Sequence, residues 1–222
     1  MLAVVARGLR DLKDQVVFVG GSVVDLYITR PGVAPLRATD DVDCVIAITS
    51  RVDYATLEEK LRALDFEHPI GEAGVPICRW RFQGIAVDVM PAEGNVLGFS
   101  NRWYPEGMSN AERVKLADGT EILVFSLPYF IASKLEAFLN RGKGDFYGSA
   151  DIEDIMTVVD GADDFLEKMS NAPASAKSYL KGKFEELLRN ELFVESIPGH
   201  LGPEAGIGRT EKALKALREI TG

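Results

Sequence analysis

Asp41 and Asp43 stand two residues apart in Thr39-Asp40-Asp41-Val42-Asp43, where an apolar run begins. Side chains alternate along a strand, so both acids project to one face while Val42, Cys44 and Ile46 pack on the other. Like charges side by side on a strand repel, and aspartate is a poor strand former. A divalent cation bridging the two turns that repulsion into binding. The plainer alternative is a solvated strand end, with Asp40 or Asp41 in a turn. Asp88 raises the same question within Ile85-Ala86-Val87-Asp88-Val89-Met90. A carboxylate inside an apolar strand is costly to bury unless it is paired or coordinates metal. Its plainer alternative is an ion pair with Arg79 or Arg81 on a neighbouring strand. Upstream, Gly20-Gly21-Ser22 follows an apolar run and opens a helix. Glycines let a backbone come close to a ligand, and N–H groups at a helix start favour phosphate. Ser22 adds a hydroxyl and is the natural N-cap. A simple strand–helix turn accounts for the same three residues.

In combination these segments supply the parts of one chemistry. Phosphoryl-type transfer needs an anion cradle, cations bridging phosphate oxygens, and carboxylates to hold those cations. Asp41, Asp43 and Asp88 are the expected metal ligands, for Mg2+ or Mn2+. Gly20, Gly21 and Ser22 are the expected contacts to a nucleoside triphosphate.

The elements that must position these residues follow from periodicity and turn chemistry. A helix is expected over 3–14, a buried strand over 16–19, a short helix over 22–29 and a Pro/Gly-containing loop over 30–39. A strand over 42–48 and an amphipathic helix over 54–64 come next. Segments 77–82 and 85–90 flank Gln83-Gly84 and read as a hairpin, as do 114–116 and 121–125 around Asp118-Gly119. Beyond Phe125 the spacing becomes helical, over 127–140, 150–160, 165–169, 174–193 and 209–220. The expected fold is α+β: a mixed β-sheet flanked by helices over 1–125, then a helical C-terminal region over 126–222.

Composition narrows the class. The chain has 222 residues, 46% of them hydrophobic, enough to bury a core. Its formal charge of −9 argues against a broad nucleic-acid-binding surface but leaves room for a small basic patch at a polynucleotide end. No apolar stretch is long enough to span a bilayer, and Met1–Asp14 lacks a signal-peptide layout, so a cytoplasmic protein without membrane partners is expected. Cys44 and Cys78 lie in apolar segments with no Cys/His cluster near them and read as reduced core thiols, not zinc ligands.

The Gly-Gly-Ser turn, the Asp41-Val42-Asp43 strand and Asp88 together resemble the polymerase-beta-like nucleotidyltransferase superfamily. The wider run Arg37-Ala38-Thr39-Asp40-Asp41-Val42-Asp43 looks like its AbiEii-type branch, which includes the MenT group of type IV toxin–antitoxin toxins. Lys134-Leu135-Glu136-Ala137-Phe138 and Asp151-Ile152-Glu153-Asp154-Ile155 extend the likeness, so that it covers roughly residues 16–160. The resemblance implies a nucleotidyltransferase fold, a nucleoside triphosphate with magnesium, the acceptor end of tRNA as substrate, and a cognate antitoxin as partner. The chain departs from the group in being shorter than many of its toxins. It also carries Gly142-Lys143-Gly144-Asp145-Phe146-Tyr147-Gly148 before the Asp-rich helix.

Spacing in the helical half gives its own reading. Ile131, Leu135 and Phe138 form a core stripe with Lys134 and Arg141 on a neighbouring face; Ile152, Ile155, Met156 and Val159 form another, beside Asp151 and Asp154. Lys134 on the triphosphate, oriented by Asp151 or Asp154, is the functional version. An interhelical salt bridge is the structural one. Trp103 and Tyr104 could stack a base but suit packing better, and Arg79, Arg81 and Arg102 could guide a phosphate chain or be solvated strand charges. His68 and His200 read as structural. The expected activity is transfer of a nucleotide from a triphosphate to an RNA end. The alternatives are transfer to a small molecule or protein side chain, and a non-catalytic nucleotide-binding module.

Overall fold

Among the described residues, runs rich in β-branched and aromatic residues pair into a sheet of six strands, in the spatial order Arg79–Phe82, Ile85–Pro91, Asp41–Ile46, Val16–Val19, Glu121–Phe125 and Ala111–Lys115. The computed structural model describes residues 1–31, 37–69, 74–202 and 206–222. The chain forms two compact units, Met1–Val23 with Ala38–Ser126, and Val24–Arg37 with Leu127–Gly222. It is an α+β fold: a six-stranded mixed sheet flanked by helices, followed by C-terminal helices.

In the first unit, helix α1 (Leu2–Leu9) leads to strand β1 (Val16–Val19), whose four residues are all buried. Strand β2 (Asp41–Ile46) runs antiparallel to β1 and parallel to β4 (Ile85–Pro91); β3 (Arg79–Phe82) closes a hairpin onto β4. Gln83 and Gly84 both have positive φ at that turn, the backbone a two-residue hairpin loop requires. Strands β5 (Ala111–Lys115) and β6 (Glu121–Phe125) pair antiparallel, and β6 joins β1 in parallel. Val42, Cys44, Trp80, Val87 and Val89 are fully or almost fully buried in this unit. Helix α2 (Arg51–Ala63) starts where the Ser50 hydroxyl accepts the Asp53 N–H at 3.1 Å, and it buries Tyr54, Leu57 and Leu61.

In the second unit, helices α5 (Leu127–Arg141) and α6 (Ala150–Gly161) bury the two stripes expected of them. Helices α7 (Phe165–Ser170), α8 (Ala174–Leu188), α9 (Glu191–His200) and α10 (Gly206–Thr221) complete it. The segment Val24–Arg37 groups with these helices, although it falls within 1–125 in sequence. The Thr29 and Arg30 N–H groups donate to the Gly161 carbonyl at 3.0 and 2.9 Å, and Asp163 N–H donates to the Thr29 hydroxyl at 2.9 Å.

Several expected boundaries shift for identifiable reasons. The helix expected over 3–14 ends at Leu9, because Arg10 turns to φ 49°, and continues as a 3₁₀ helix over Arg10–Asp14. The helix expected over 22–29 is a 3₁₀ helix over Gly21–Tyr27, so Ser22 lies inside it and is not its N-cap. The single helix expected over 174–193 is two, since Asn190 accepts the Leu192 N–H at 3.0 Å and caps a new start. Two short helices were not expected, α3 (Gly94–Leu97) and α4 (Tyr104–Ser109). Most of the loop expected over 30–39, residues 32–36, lies outside the described residues.

Candidate functional site

Sheet register brings the acids of the first unit together. On parallel β2 and β4, Asp43 stands opposite Asp88 and Asp41 opposite Ala86; on antiparallel β3, Arg79 stands opposite Asp88; on β1, Val19 stands opposite Asp43. Residues in register share a face, so Arg79, Asp88 and Asp43 form one row with Asp41 one pleat away. Asp41, Asp43 and Asp88 each offer an oxygen, all within 4.8 Å of one another. Asp88 is 8% exposed, while Asp41 and Asp43 are half-buried.

The strand in front of this row ends at a glycine that the row itself requires. Gly20 has φ +75°, and a Cβ there would lie 1.9 Å from Asp43 Oδ2, inside the carboxylate. The turn therefore lets the backbone approach an aspartate, whatever it does for a ligand. Two residues on, the Ser22 hydroxyl oxygen is buried and has no hydrogen-bond partner among the described residues. Buried hydroxyls usually find one.

A guanidinium also occupies the row. Arg79 Nε donates to Asp88 Oδ1 at 2.8 Å and its Nη2 to Asp88 Oδ2 at 2.7 Å; the same Nη2 donates to Asp41 Oδ2 at 2.8 Å. The ion pair weighed as the plain alternative for Asp88 is thus present, alongside the convergence of the acids. Hydrogen bonding to Asp88, with the charges of Asp88 and Asp41, holds Arg79 firmly protonated against some burial. Burial and the Asp88 charge push the Cys78 thiol up to about 12. Burial, with Asp43 and Asp88 beside it, raises Cys44 well above its ordinary range. Both thiols are free and buried, as expected.

The donor set fits a hard cation. Three carboxylates supply only oxygen ligands, and two oxygens on opposite sides of an ion at about 2.1–2.5 Å lie roughly 4–5 Å apart. The oxygens offered by the three acids are no farther apart than that, all within 4.8 Å of one another. A cavity of about 410 Å³ elsewhere in this unit, lined by Leu12, Ile46, Ile48, Leu57 and Lys60 among others, contains none of the three. The three acids lie on the strand row, apart from that cavity.

The second unit holds the other expected residues. Lys134 Nζ lies 2.6 Å from Asp154 Oδ2, an ion pair without hydrogen-bond angles, and donates to Asp151 Oδ1 at 3.2 Å. Arg141 forks onto Asp151 at 2.9 and 3.0 Å, and Arg37 Nη2 stands 3.6 Å from Asp154. Lys134, Asp151 and Asp154 are all buried. Burial opposes ionisation of Asp151, but Arg141 hydrogen bonds and the Lys134 charge outweigh it and hold the carboxyl below its ordinary value. The interhelical salt bridge is therefore formed.

The remaining candidates pack. Trp103 is 4% exposed and lies under the Arg102 guanidinium, and the Tyr104 ring is 6.1 Å from Phe125. His68 lies against Trp80, and His200 Nε2–H donates to the Phe146 carbonyl at 2.6 Å. Sequence reasoning missed buried Asp160, which binds Arg209 through its carboxylate and Arg30 through its carbonyl. Its only signal is an acid beside the Val158-Val159 end of a buried helical stripe. Comparison with protein-family models and with curated proteins finds no match to this chain.

Proposed function

We propose that the protein transfers a nucleotide from a nucleoside triphosphate to an acceptor hydroxyl, using divalent cations held by Asp41, Asp43 and Asp88. The observation that carries this reading is the convergence of three carboxylates from two strands beside the Gly20 turn. Nothing in a purely structural role requires like charges in register on neighbouring strands. Bound Mg2+ or Mn2+ supplies positive charge to the reacting phosphate and lowers the pKa of the attacking hydroxyl.

The chain's own groups do the rest. The three aspartates set where positive charge can sit. Asp88 takes the proton of the acceptor hydroxyl as its oxygen bonds to the α-phosphorus and the bond to pyrophosphate breaks. The orphaned Ser22 hydroxyl and the N–H groups opening the Gly21–Tyr27 helix donate to the departing phosphates. An RNA end, the acceptor end of tRNA above all, is the proposed acceptor; it and an antitoxin partner rest on the resemblance alone.

A second reading has one observation in its favour. The Arg79 fork is what a non-catalytic nucleotide-binding module would keep once its acids no longer held metal.

Asp41→Ala and Asp43→Ala should each lower nucleotide transfer about a thousandfold or more, since metal-borne charge supplies several kcal/mol of the barrier reduction. The assay incubates the protein with each labelled triphosphate, Mg2+ and total RNA, with circular dichroism checking the fold. Label in RNA supports the preferred acceptor, and label in protein or a small molecule redirects it. Wild-type rates in either variant would overturn the assignment of the acids.

A further inference from the structure

Arg79 Nη2 lies between two carboxylates, 2.8 Å from Asp41 Oδ2 and 2.7 Å from Asp88 Oδ2. Both Asp88 oxygens, and so any ligand that acid can offer the proposed cation, are hydrogen-bonded to the same guanidinium. A cation shared by Asp41 and Asp88 and the Nη2 nitrogen cannot occupy that position together. We propose that Arg79 is an internal counter-ion that stands in the cation's place, and that loading the site requires its departure. This rests on the metal reading above and adds a rule for when metal binds.

The surroundings of Arg79 suit a side chain that leaves. It sits on β3, a terminal strand of the sheet, and its side chain is 28% exposed. Its strand neighbour Trp80, pointing to the other face, is fully buried and anchors the backbone. The guanidinium can therefore swing toward solvent without moving the strand. Once free, its planar fork matches phosphate oxygens as well as it matches a carboxylate. A triphosphate arriving with its cation gives Arg79 a new partner while the cation takes the old ones. Metal and nucleotide then bind cooperatively, and metal alone binds weakly.

The test is a Mn2+ titration of nucleotide-free protein, with free Mn2+ followed by electron paramagnetic resonance. Arg79→Gln should tighten Mn2+ binding at least about tenfold, through loss of both the competitor and its charge. Arg79→Lys, which keeps the charge but not the fork, should fall between. A non-hydrolysable triphosphate analogue should tighten Mn2+ on the wild type by a larger factor than on Arg79→Gln. Equal or weaker Mn2+ binding by a folded Arg79→Gln protein overturns the proposal and leaves the metal reading standing. Absence of Mn2+ binding by all three proteins overturns both. The native protein gives a measurement independent of whether the variants fold: Mg2+ should speed solvent exchange of the Arg79 Nε–H at least about tenfold, as the Asp88 hydrogen bond opens. Unchanged exchange in Mg2+-saturated protein also overturns the proposal.

Discussion

A single missing carbon at Gly20 sets how the first unit can be built. The position has φ +75°, and any side chain there would meet the Asp43 carboxylate. Gly20→Ala should therefore destabilise the protein by about 1–3 kcal/mol, combining left-handed strain with displacement of Asp43. It should also abolish nucleotide transfer, because Asp43 moves with it. Thermal unfolding and the labelled-triphosphate assay check both, and an unshifted melt would show that the turn has room to spare. The glycine pair was legible as a place of close approach. Its target was not, since the clash is with a residue twenty-three positions away. The acids were legible for the same reason that makes them unusual: Asp88 interrupts an apolar run, and Asp41 and Asp43 share a strand face. The charge that answers Asp88 was legible as far as the pair Arg79 or Arg81, and hairpin register decides between them by placing Arg79 opposite it.

Elements carry the next layer. The β3–β4 hairpin could be read from Gln83-Gly84, but the parallel pairing of β2 with β4, which sets Asp43 beside Asp88, joins segments more than forty residues apart. Short-range pattern cannot encode such a pairing. The α8–α9 break was hidden differently. Leu180, Phe184 and Leu187 keep a helical period, no glycine or proline separates Leu187 from Phe193, and only the Asn190 cap reveals the new start. Between α5 and α6 the stripes were legible, and the Lys134 contacts follow from them. Asp151 has its carboxyl held below the ordinary value, so its stabilising effect is present above the unfolded-state pKa, near 4, and is lost as pH falls through the folded one. Asp151→Asn should cost about 2–3 kcal/mol at pH 7, because Lys134 loses one of two buried partners and Arg141 loses its fork. Urea unfolding as a function of pH should find that gap closing below about pH 4. A gap independent of pH would remove electrostatics as its cause.

Charge and connectivity belong to the whole chain. With a formal charge of −9, the protein should bind random-sequence duplex more weakly than about 100 µM at physiological salt. Fluorescence anisotropy tests this, and micromolar binding with a steep salt slope would contradict it. An RNA acceptor would then be engaged through its end and not through a broad electropositive face. No helix among the described residues is long and apolar enough to cross a membrane. The change from mixed to helical character near residue 126 was legible from periodicity. The grouping of Val24–Arg37 with the later helices was not, because it depends on backbone donors, Thr29 and Arg30, meeting a carbonyl at Gly161.

That last feature bears on how the molecule can be dissected. A fragment starting at Leu127 would leave behind the stretch that caps the end of α6, exposing the Gly161 carbonyl and the Asp163 N–H, while Asp160 and Asp163 would both lose Arg30. Excision at the visible boundary is thus an amputation on both sides, and a separable helical half needs residues 24–37 spliced onto it or supplied in trans.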